Sequence, residues 1–288
     1  MKFSVVTPSL RQLPWLKRCA RSVADQAGVE VEHVVQDGGT EGISDFRLKI
    51  EDLRKPDLLK LFVEKDNGLY DALNRGFAHA SGDVISILNC DEQYLPGALA
   101  KVRAVFEKNP QADLVVGDWL LVDPAGKLLA FRRATKLRAS MILTDHLYDF
   151  TCALFFRQRV LERGVRFDEA YRAAGDADFV ARLLRTGVRI AYLRAYLATF
   201  ALTESNLSLR ADPAAEAARL RAITPAWARL AGPFLRQWRH LEKWGAGGYS
   251  SPPIAYEIFA GEDDATRTRF VCEKPGWRHP WSVATRRG

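Results

Sequence analysis

The chain has 288 residues, of which 48% are hydrophobic and 27% charged, and its formal net charge is +7. This composition excludes a disordered or fibrous chain, and the length suits one large α/β domain with an appendage or two small domains. No apolar run approaches the about 20 residues that a membrane-spanning helix needs, and the N-terminus lacks a signal-peptide layout, so we expect a cytosolic protein.

The first 112 residues alternate between strand and helix patterns. Strands are predicted at 3–8, 31–36, 61–64 and 84–88, and helices around 16–24, 72–80 and 96–106. Such alternation predicts a parallel sheet with right-handed crossovers, in which ligands bind beyond the carboxyl ends of the strands. We expect those ends to converge on one edge; they are residues 7–9, 37–39, 65–66 and 89–91.

After residue 112 the pattern is less regular. A strand at 114–118 is followed by an irregular stretch to residue 150, a helix at 176–186 and a strand at 188–193. From residue 212 the chain is rich in Ala and Arg and helical in pattern, and it ends in a segment rich in Trp, Pro and Arg. The fold class is therefore α/β, with a mostly parallel sheet flanked by helices and a mainly helical C-terminal extension.

The strongest single feature is the segment Leu88–Glu92, where a buried strand emerges at the predicted ligand edge. A carboxylate at Asp91 can hold Mg²⁺ or Mn²⁺ against a diphosphate, because these metals take oxygen ligands and share them with substrate phosphates. An ordinary acidic turn at a strand end explains this segment equally well when it is considered alone.

Two other polar segments follow predicted strands. In Asp37–Thr40 the glycines let the backbone approach a ligand and Asp37 could accept a hydrogen bond from a nucleobase or ribose, although Asp-Gly turns are common. Lys65–Gly76 leads into a helix start, which favours anions, and Arg75 adds positive charge there or is only a surface residue.

Taken together, four motifs resemble glycosyltransferase family 2 in order and spacing: Val6–Ser9, Asp37–Thr40, Asp66–Gly76 and Leu88–Glu92. The resemblance covers about residues 3–205 and is specific because several motifs agree in order. It implies a GT-A fold, which is Rossmann-like, and a UDP- or dTDP-sugar donor. It also implies a divalent metal, Mn²⁺ or Mg²⁺, and inversion at the anomeric carbon.

The same resemblance divides the chain. The GT-A domain would span residues 1–208, with a nucleotide-binding half at 1–112 and an acceptor half at 113–208. Residues 209–288 would form a helical, basic, Trp-rich extension. The acceptor that the family implies is a glycan or lipid-linked hydroxyl of bacterial polysaccharide or glycolipid synthesis.

The resemblance also implies roles for single residues. Six would bind the donor and its metal: Thr7, Pro8, Asp37, Asp66, Asn89 and Asp91. The first four would line the nucleoside pocket, and Asp91 would be the metal ligand. The segment Gly175–Phe179 resembles the one that supplies the catalytic base, and Asp176 is the predicted base. Asp176 would remove the proton from the acceptor hydroxyl, which attacks the anomeric carbon in one in-line displacement.

The sequence departs from the family pattern at three places. Glu92 replaces the usual last Asp of the metal motif, and Gly175 stands where Glu often precedes the base. Residues Thr203–Asn206 replace a common histidine-containing motif, which leaves the third metal contact open. His146 is a candidate substitute, although a lone histidine is more often structural.

Two other functions compete with a transferase. A nicotinamide-dependent oxidoreductase is disfavoured because Thr7–Leu10 stands where a GxGxxG loop would be. A non-catalytic nucleotide-sugar-binding or scaffolding module is favoured slightly by Asn89, by Glu92 and by the missing histidine motif. Such a module would bind UDP and release no sugar.

The C-terminal region suggests a surface contact. Residues 265–288 carry five Arg and one Lys against one Glu, and five tryptophans are interspersed with basic residues: Trp227, Trp238, Trp244, Trp277 and Trp281. This mixture is typical of a peripheral membrane contact on the inner face of the cell membrane. It is equally consistent with a helical cap that packs on the domain and carries a solvated tail. We expect no nucleic-acid partner.

The four cysteines, Cys19, Cys90, Cys152 and Cys272, are far apart and show no metal-binding spacing. They are predicted to be structural thiols that form no disulfide.

Overall fold

The computed structural model describes residues 1–49, 58–203 and 213–278. The strands are β1 (Lys2–Ser9), β2 (Glu30–Asp37), β3 (Leu59–Val63), β4 (Val84–Ile87), β5 (Glu92–Tyr94), β6 (Leu114–Val122), β7 (Leu128–Arg132), β8 (Leu154–Arg157), β9 (Ile190–Ala201), β10 (Ile254–Ile258) and β11 (Thr268–Cys272). The helices are α1 (Leu13–Ala24), α2 (Ile43–Lys49), α3 (Leu69–His79), α4 (Ala98–Lys108), α5 (Ala139–Thr144), α6 (Gln158–Leu161), α7 (Gly175–Arg185), α8 (Pro213–Ile223) and α9 (Ala226–Gly245).

The central sheet has the strand order β3-β2-β1-β4-β8-β6-β9-β5, with β7 paired to β6. The neighbours β3, β2, β1 and β4 are all parallel, as the alternating pattern predicted. Beyond β4 in this order, β8 runs antiparallel to β4 and β6, and β5 runs antiparallel to β9. The sheet is therefore parallel from β3 to β4 and mixed beyond β4, because the strands there are joined by hairpins and short connections as well as by helical crossovers.

Strand β1 lies in the middle of the parallel part and sends alternate side chains into two cores. Phe3 and Val5 pack on the side of α1 and α4, whereas Val6 packs on the side of α3 and α7. Helix α3 approaches β1 closely at Gly76, where an added Cβ would lie 2.4 Å from Val6 Cγ1. This close packing fixes the position of the helix that follows the Asp66 loop.

The predicted C-terminal helices are present as α8 and α9. They are followed by an antiparallel pair, β10 and β11, which the sequence pattern did not predict. Residues of β10 pack against β6 and β7, so the C-terminal region covers this part of the sheet. No helix in the described ranges has the length and apolar character needed to cross a membrane. All four cysteines are free thiols, as predicted.

Candidate active site

The carboxyl ends of β3, β2, β1 and β4 meet at one edge of the sheet, as predicted. The N–H of Gly38 donates to the carbonyl of Ser9 at 2.9 Å. The thiol of Cys90 donates to the carbonyl of Pro8 at 3.3 Å. The predicted donor loops therefore form one continuous wall.

The Asp37 carboxylate organises its own turn. Its Oδ1 accepts hydrogen bonds from the N–H groups of Gly39 at 2.9 Å and Thr40 at 2.6 Å, and its Oδ2 accepts one from Thr40 Oγ1 at 2.7 Å. The side chain is fully buried. An ionised carboxylate offers about four acceptor positions, so three of them are used within the turn. The contact with a nucleoside stays a prediction.

The predicted pocket residues Thr7 and Pro8 are also buried. Thr7 Oγ1 lies 2.6 Å from the carbonyl of Leu88 and 2.8 Å from His33 Nε2. The hydroxyl therefore ties β1 to the end of β4 and does not line the cleft. Contact between the donor and these two residues stays a prediction. It would have to involve their backbone atoms or the edge of the Pro8 ring.

Asp66 faces the Asp37 turn across Gly38. Its Oδ1 accepts a hydrogen bond from the N–H of Gly68 at 3.0 Å. A Cβ added to Gly38 would lie 2.7 Å from Asp66 Oδ2, so only glycine leaves room for this carboxylate. Burial raises the pKa of Asp66, and the hydrogen bond from Gly68 opposes the rise. The structure thus brings two of the predicted donor-binding segments together.

This contact yields a first prediction. Gly38→Ala is expected to push the Asp66 carboxylate aside, because the added methyl group has no room. Overpacking typically costs about 1–3 kcal/mol, and a loss of about 1.4 kcal/mol in binding would weaken UDP affinity about tenfold. Isothermal titration calorimetry measures the change. Gly245→Ala is the control, since nothing lies within 4 Å of a Cβ added there. Unchanged UDP binding in Gly38→Ala would exclude the Asp66 loop from the donor site.

The residues of the predicted metal motif form a tight turn. The N–H of Asn89 donates to Glu92 Oε2 at 2.6 Å, and Glu92 is 1% exposed. Burial, followed by the negative charge of Asp91, raises the pKa of Glu92 well above its usual range. Glu92 is therefore an inward-facing residue that holds the turn, which explains how a longer side chain fits where the family usually has Asp.

The same turn offers oxygen atoms to a metal. Asn89 Oδ1 is buried and has no hydrogen-bond partner, and the half-buried Asp91 lies two residues further along the chain. A carboxylate and an amide oxygen are donors that Mg²⁺ and Mn²⁺ accept, and Mg²⁺ commonly takes only one or two carboxylates beside substrate phosphates. In the described ranges no three His, Cys, Asp or Glu side chains are grouped to hold a metal. The oxygens of Asn89 and Asp91 are of the chemical type that Mg²⁺ and Mn²⁺ accept, and a metal at this turn stays a prediction.

The third metal contact gains no support from His146. Its Nδ1 lies 3.1 Å from Asp145 Oδ2, and Arg239 of α9 bonds to the same oxygen at 2.7 Å. His146 therefore belongs to the contact between the end of α5 and α9. Of the segment that stands in place of the histidine-containing motif, Glu204–Asn206 lies outside the described residues.

The predicted base, Asp176, is the second residue of α7 and is half-buried. The hydroxyl of Tyr70 donates a hydrogen bond to its carboxylate and accepts one from the N–H of Gly175 at 2.9 Å. Burial raises the pKa of Asp176 to about 6, and the bond from Tyr70 opposes the rise. The charge of Asp176 also contributes to the raised pKa of Glu92, so the base lies within electrostatic range of the metal motif.

The packing of Tyr70 explains why this chain has Gly175 where glutamate is common in the family. A Cβ at this position would lie 2.6 Å from the ring of Tyr70. The rival carboxylate, Asp178, points elsewhere: it is 4% exposed and accepts hydrogen bonds from Arg182, the nearest at 2.5 Å. Of the two acidic residues, only Asp176 shares a hydrogen bond with Tyr70 from the donor-side helix α3.

Sequence reasoning missed one residue that shapes this region, Glu216 of α8. Its buried carboxylate accepts hydrogen bonds from the N–H groups of Arg172, Ala173 and Ala174, the last at 2.6 Å. These three residues lead directly into α7. No local pattern around Glu216 indicates this contact. Tyr70 was also not predicted as a site residue, although it lies inside the Asp66–Gly76 motif and could have been considered there.

Residues 4–165 match the family model described as glycosyl transferase family 2, and they make up more than half of the chain. The chain belongs to glycosyltransferase family 2. The matched residues of this family 2 protein include all four strand-end motifs and stop before α7. The prediction that Asp176 is the base therefore depends on its geometry and on the resemblance of the segment Gly175–Phe179 to the family, and not on the matched residues.

Curated relatives of this family 2 protein are also named glycosyltransferases. It is 30% identical over 189 residues to a PGL/p-HBAD biosynthesis glycosyltransferase of Mycobacterium tuberculosis, covering 62% of this chain and 68% of the relative. It is 27% identical over 172 residues to an uncharacterised glycosyltransferase of Nostoc sp., covering 57% of this chain and 53% of the relative. The alignment thus spans about half the length of the Nostoc protein.

Solved structures confirm the GT-A fold. Residues 1–349 of Staphylococcus aureus TarS, in complex with UDP-GlcNAc, match with a TM-score of 0.64 at 17% identity, covering 86% of this chain and 75% of the other. The mannosyltransferase PcManGT of Pyrobaculum calidifontis, in complex with GDP-Man and Mn²⁺, matches with a TM-score of 0.55 at 17% identity, covering 86% and 76%. At this identity the likeness concerns the fold alone.

Proposed function

We propose that this protein is an inverting, metal-dependent glycosyltransferase that moves a sugar from a UDP- or dTDP-sugar to a hydroxyl of a glycan or lipid-linked acceptor. The observation that carries the proposal is the position of Asp176. Its carboxylate lies within electrostatic range of the Asn89–Glu92 turn and has a pKa raised to about 6. A carboxylate tuned toward neutral pH beside a donor site suits a general base.

Each part of the site has one task in this proposal. The Asp37 and Asp66 loops hold the nucleoside, and Asn89 and Asp91 face the diphosphate. A bound Mg²⁺ or Mn²⁺ at Asp91 would stabilise the negative charge of the leaving nucleoside diphosphate. Asp176 takes the proton from the acceptor hydroxyl, and Tyr70 keeps the carboxylate oriented toward the cleft.

The relatives support the donor class and the type of product. TarS and PcManGT were both solved with nucleoside diphosphate sugars, and PcManGT also with Mn²⁺. The mycobacterial relative is named for PGL/p-HBAD biosynthesis. These names favour a role in bacterial polysaccharide or glycolipid synthesis.

The test is release of nucleoside diphosphate from a panel of nucleotide sugars, with and without Mn²⁺ and with an acceptor mixture. We expect release from one UDP- or dTDP-sugar that requires Mn²⁺ or Mg²⁺. Analysis of the anomeric configuration of the product then tests inversion. Binding of UDP without release under any condition would instead support a non-catalytic scaffolding module.

The bond from Tyr70 predicts a shifted pH profile. Because this bond lowers the pKa of Asp176, Tyr70→Phe is expected to raise that pKa further and to move the acid limb of kcat/KM to higher pH. The variant should therefore lose more activity below pH about 7 than above it. Tyr171→Phe, another buried tyrosine, is the control and should keep the wild-type profile. An unmoved acid limb in Tyr70→Phe would show that Asp176 does not control it.

A further inference from the structure

The outer face of α9 carries most of the exposed large apolar side chains. In the described ranges eleven such side chains are exposed, and six lie on this helix, with exposures from 44% for Trp238 to 86% for Leu230. The six are Trp227, Leu230, Phe234, Trp238, Leu241 and Trp244. An apolar surface this concentrated marks an interaction site.

These six positions share one side of the helix. At about 100° per residue they fall within an arc of about 120°. The opposite side faces the protein, where Arg239 pairs with Asp145 at 2.7 Å and Glu242 pairs with Arg138 at 2.5 Å. The helix thus turns Arg239 and Glu242 toward the protein and its large apolar residues outward, unlike an ordinary surface helix. A simple helical cap would bury this apolar face.

The exposed charged side chains of the two C-terminal helices are all basic. On the described side chains of α8 and α9, the exposed charged residues are Arg219, Arg221, Arg229 and Arg236. Both acidic residues are engaged by the protein, since Glu216 accepts backbone N–H groups and Glu242 pairs with Arg138. The surface therefore combines Trp, Phe and Leu with uncompensated positive charge.

We propose that the outer face of α9 docks the protein on an anionic lipid bilayer, the cytoplasmic leaflet of a cell membrane. Trp side chains favour the interface between headgroups and acyl chains, and Arg attracts anionic headgroups. The helix has 20 residues, which is about 30 Å at 1.5 Å per residue, and it lies in the plane of the interface rather than across it.

A second copy of the chain fits this face less well. A symmetric pair would bring together two surfaces whose exposed charged residues on α8 and α9 are all Arg, and like charges repel. Anionic headgroups would neutralise the same residues. The charge on α9 therefore favours lipid as the occupant.

The contact is assigned to α9 rather than to the basic C-terminal tail. Trp277 packs edge-on against Tyr249, with ring centroids 4.7 Å apart, and Lys243 lies over its ring. It therefore belongs to the packed part of the extension. Trp281 lies outside the described residues.

Co-sedimentation with vesicles tests the proposal. We expect the full chain to bind vesicles that contain phosphatidylglycerol, to bind phosphatidylcholine vesicles weakly, and to be released by salt. The double variant Leu230→Glu, Leu241→Glu should lose binding, because both side chains are exposed and support no core. Arg229→Gln with Arg236→Gln should weaken binding about tenfold or more, since each basic residue near such a surface contributes about 1 kcal/mol.

Val271→Glu is the matched control, because Val271 is an exposed apolar residue on β11, away from α9. It should bind vesicles like the wild type, and thermal unfolding and UDP binding should match in all variants. No salt-sensitive binding to anionic vesicles, or equal binding by the Leu230 and Leu241 variant, overturns the proposal. A wild-type dimer that this double variant dissociates would identify a second copy as the occupant and would also overturn it.

Discussion

Asp176→Asn is expected to lower the rate of sugar transfer about 10²–10⁴-fold while folding and UDP binding stay normal. Asn has the shape of Asp and can keep a hydrogen bond with Tyr70, but its amide cannot take the proton from an acceptor hydroxyl. Single-turnover transfer and calorimetric UDP binding measure the two effects separately.

The same substitution has an expected effect on stability. Burial raises the pKa of Asp176 to about 6 in the folded protein, above its usual value of 3.8. The folded state therefore holds more protons than the unfolded state between these values, and this carboxyl destabilises the fold as pH rises from about 4 to about 6. Asp176→Asn removes that effect, so its melting temperature at pH 8 should equal or exceed the wild-type value.

Asp178→Asn is the matched control, two residues away on the same helix. It weakens a buried ion pair with Arg182, so we expect a lower melting temperature and a normal transfer rate for the folded protein. If Asp178→Asn loses transfer while Asp176→Asn keeps it, the base has been assigned to the wrong carboxylate. If neither change affects transfer, the inverting mechanism proposed for this site fails.

Asp91→Ala is expected to abolish metal-dependent turnover. A metal at the leaving diphosphate is typically worth several kcal/mol, and Asn89 alone would offer only one neutral oxygen from the protein turn. Release of nucleoside diphosphate as a function of Mn²⁺ concentration measures the loss. Asp83→Ala is the control, because this exposed carboxylate precedes β4, at the opposite end of the strand from Asp91. Near-normal Mn²⁺-dependent release by Asp91→Ala would contradict the metal assignment.

The convergence of the donor loops was predictable because it depends on local patterns. Strands β1 to β4 and helices α1, α3 and α4 are visible in the apolar periodicity, whereas α2 and the three-residue β5 were not predicted. The handedness of the crossovers then places the strand ends on one edge. Alternation along β1 could also have indicated the direction of the Thr7 side chain. It has the parity of Phe3 and Val5, so its side chain points into the same core.

The contacts around the base could not be read from local patterns. Gly175 and Tyr70 are 105 residues apart in the chain, and only the packed structure shows that the ring occupies the space of a Cβ. The pair β10 and β11 was missed for a related reason. Its strands are short, and a nine-residue segment with little apolar periodicity separates them.

The hydrogen bonds that Glu216 accepts tie the extension to the segment that leads into α7 and to the proposed base. Arg172, Ala173 and Ala174 would lose the acceptor of their N–H groups in a chain cut after residue 208, and the turn that presents Asp176 would lose its anchor. The two regions are therefore not interchangeable modules. A chimaera that carries the extension of a relative is therefore expected to need a carboxylate at the position of Glu216 to keep the segment before α7 in place.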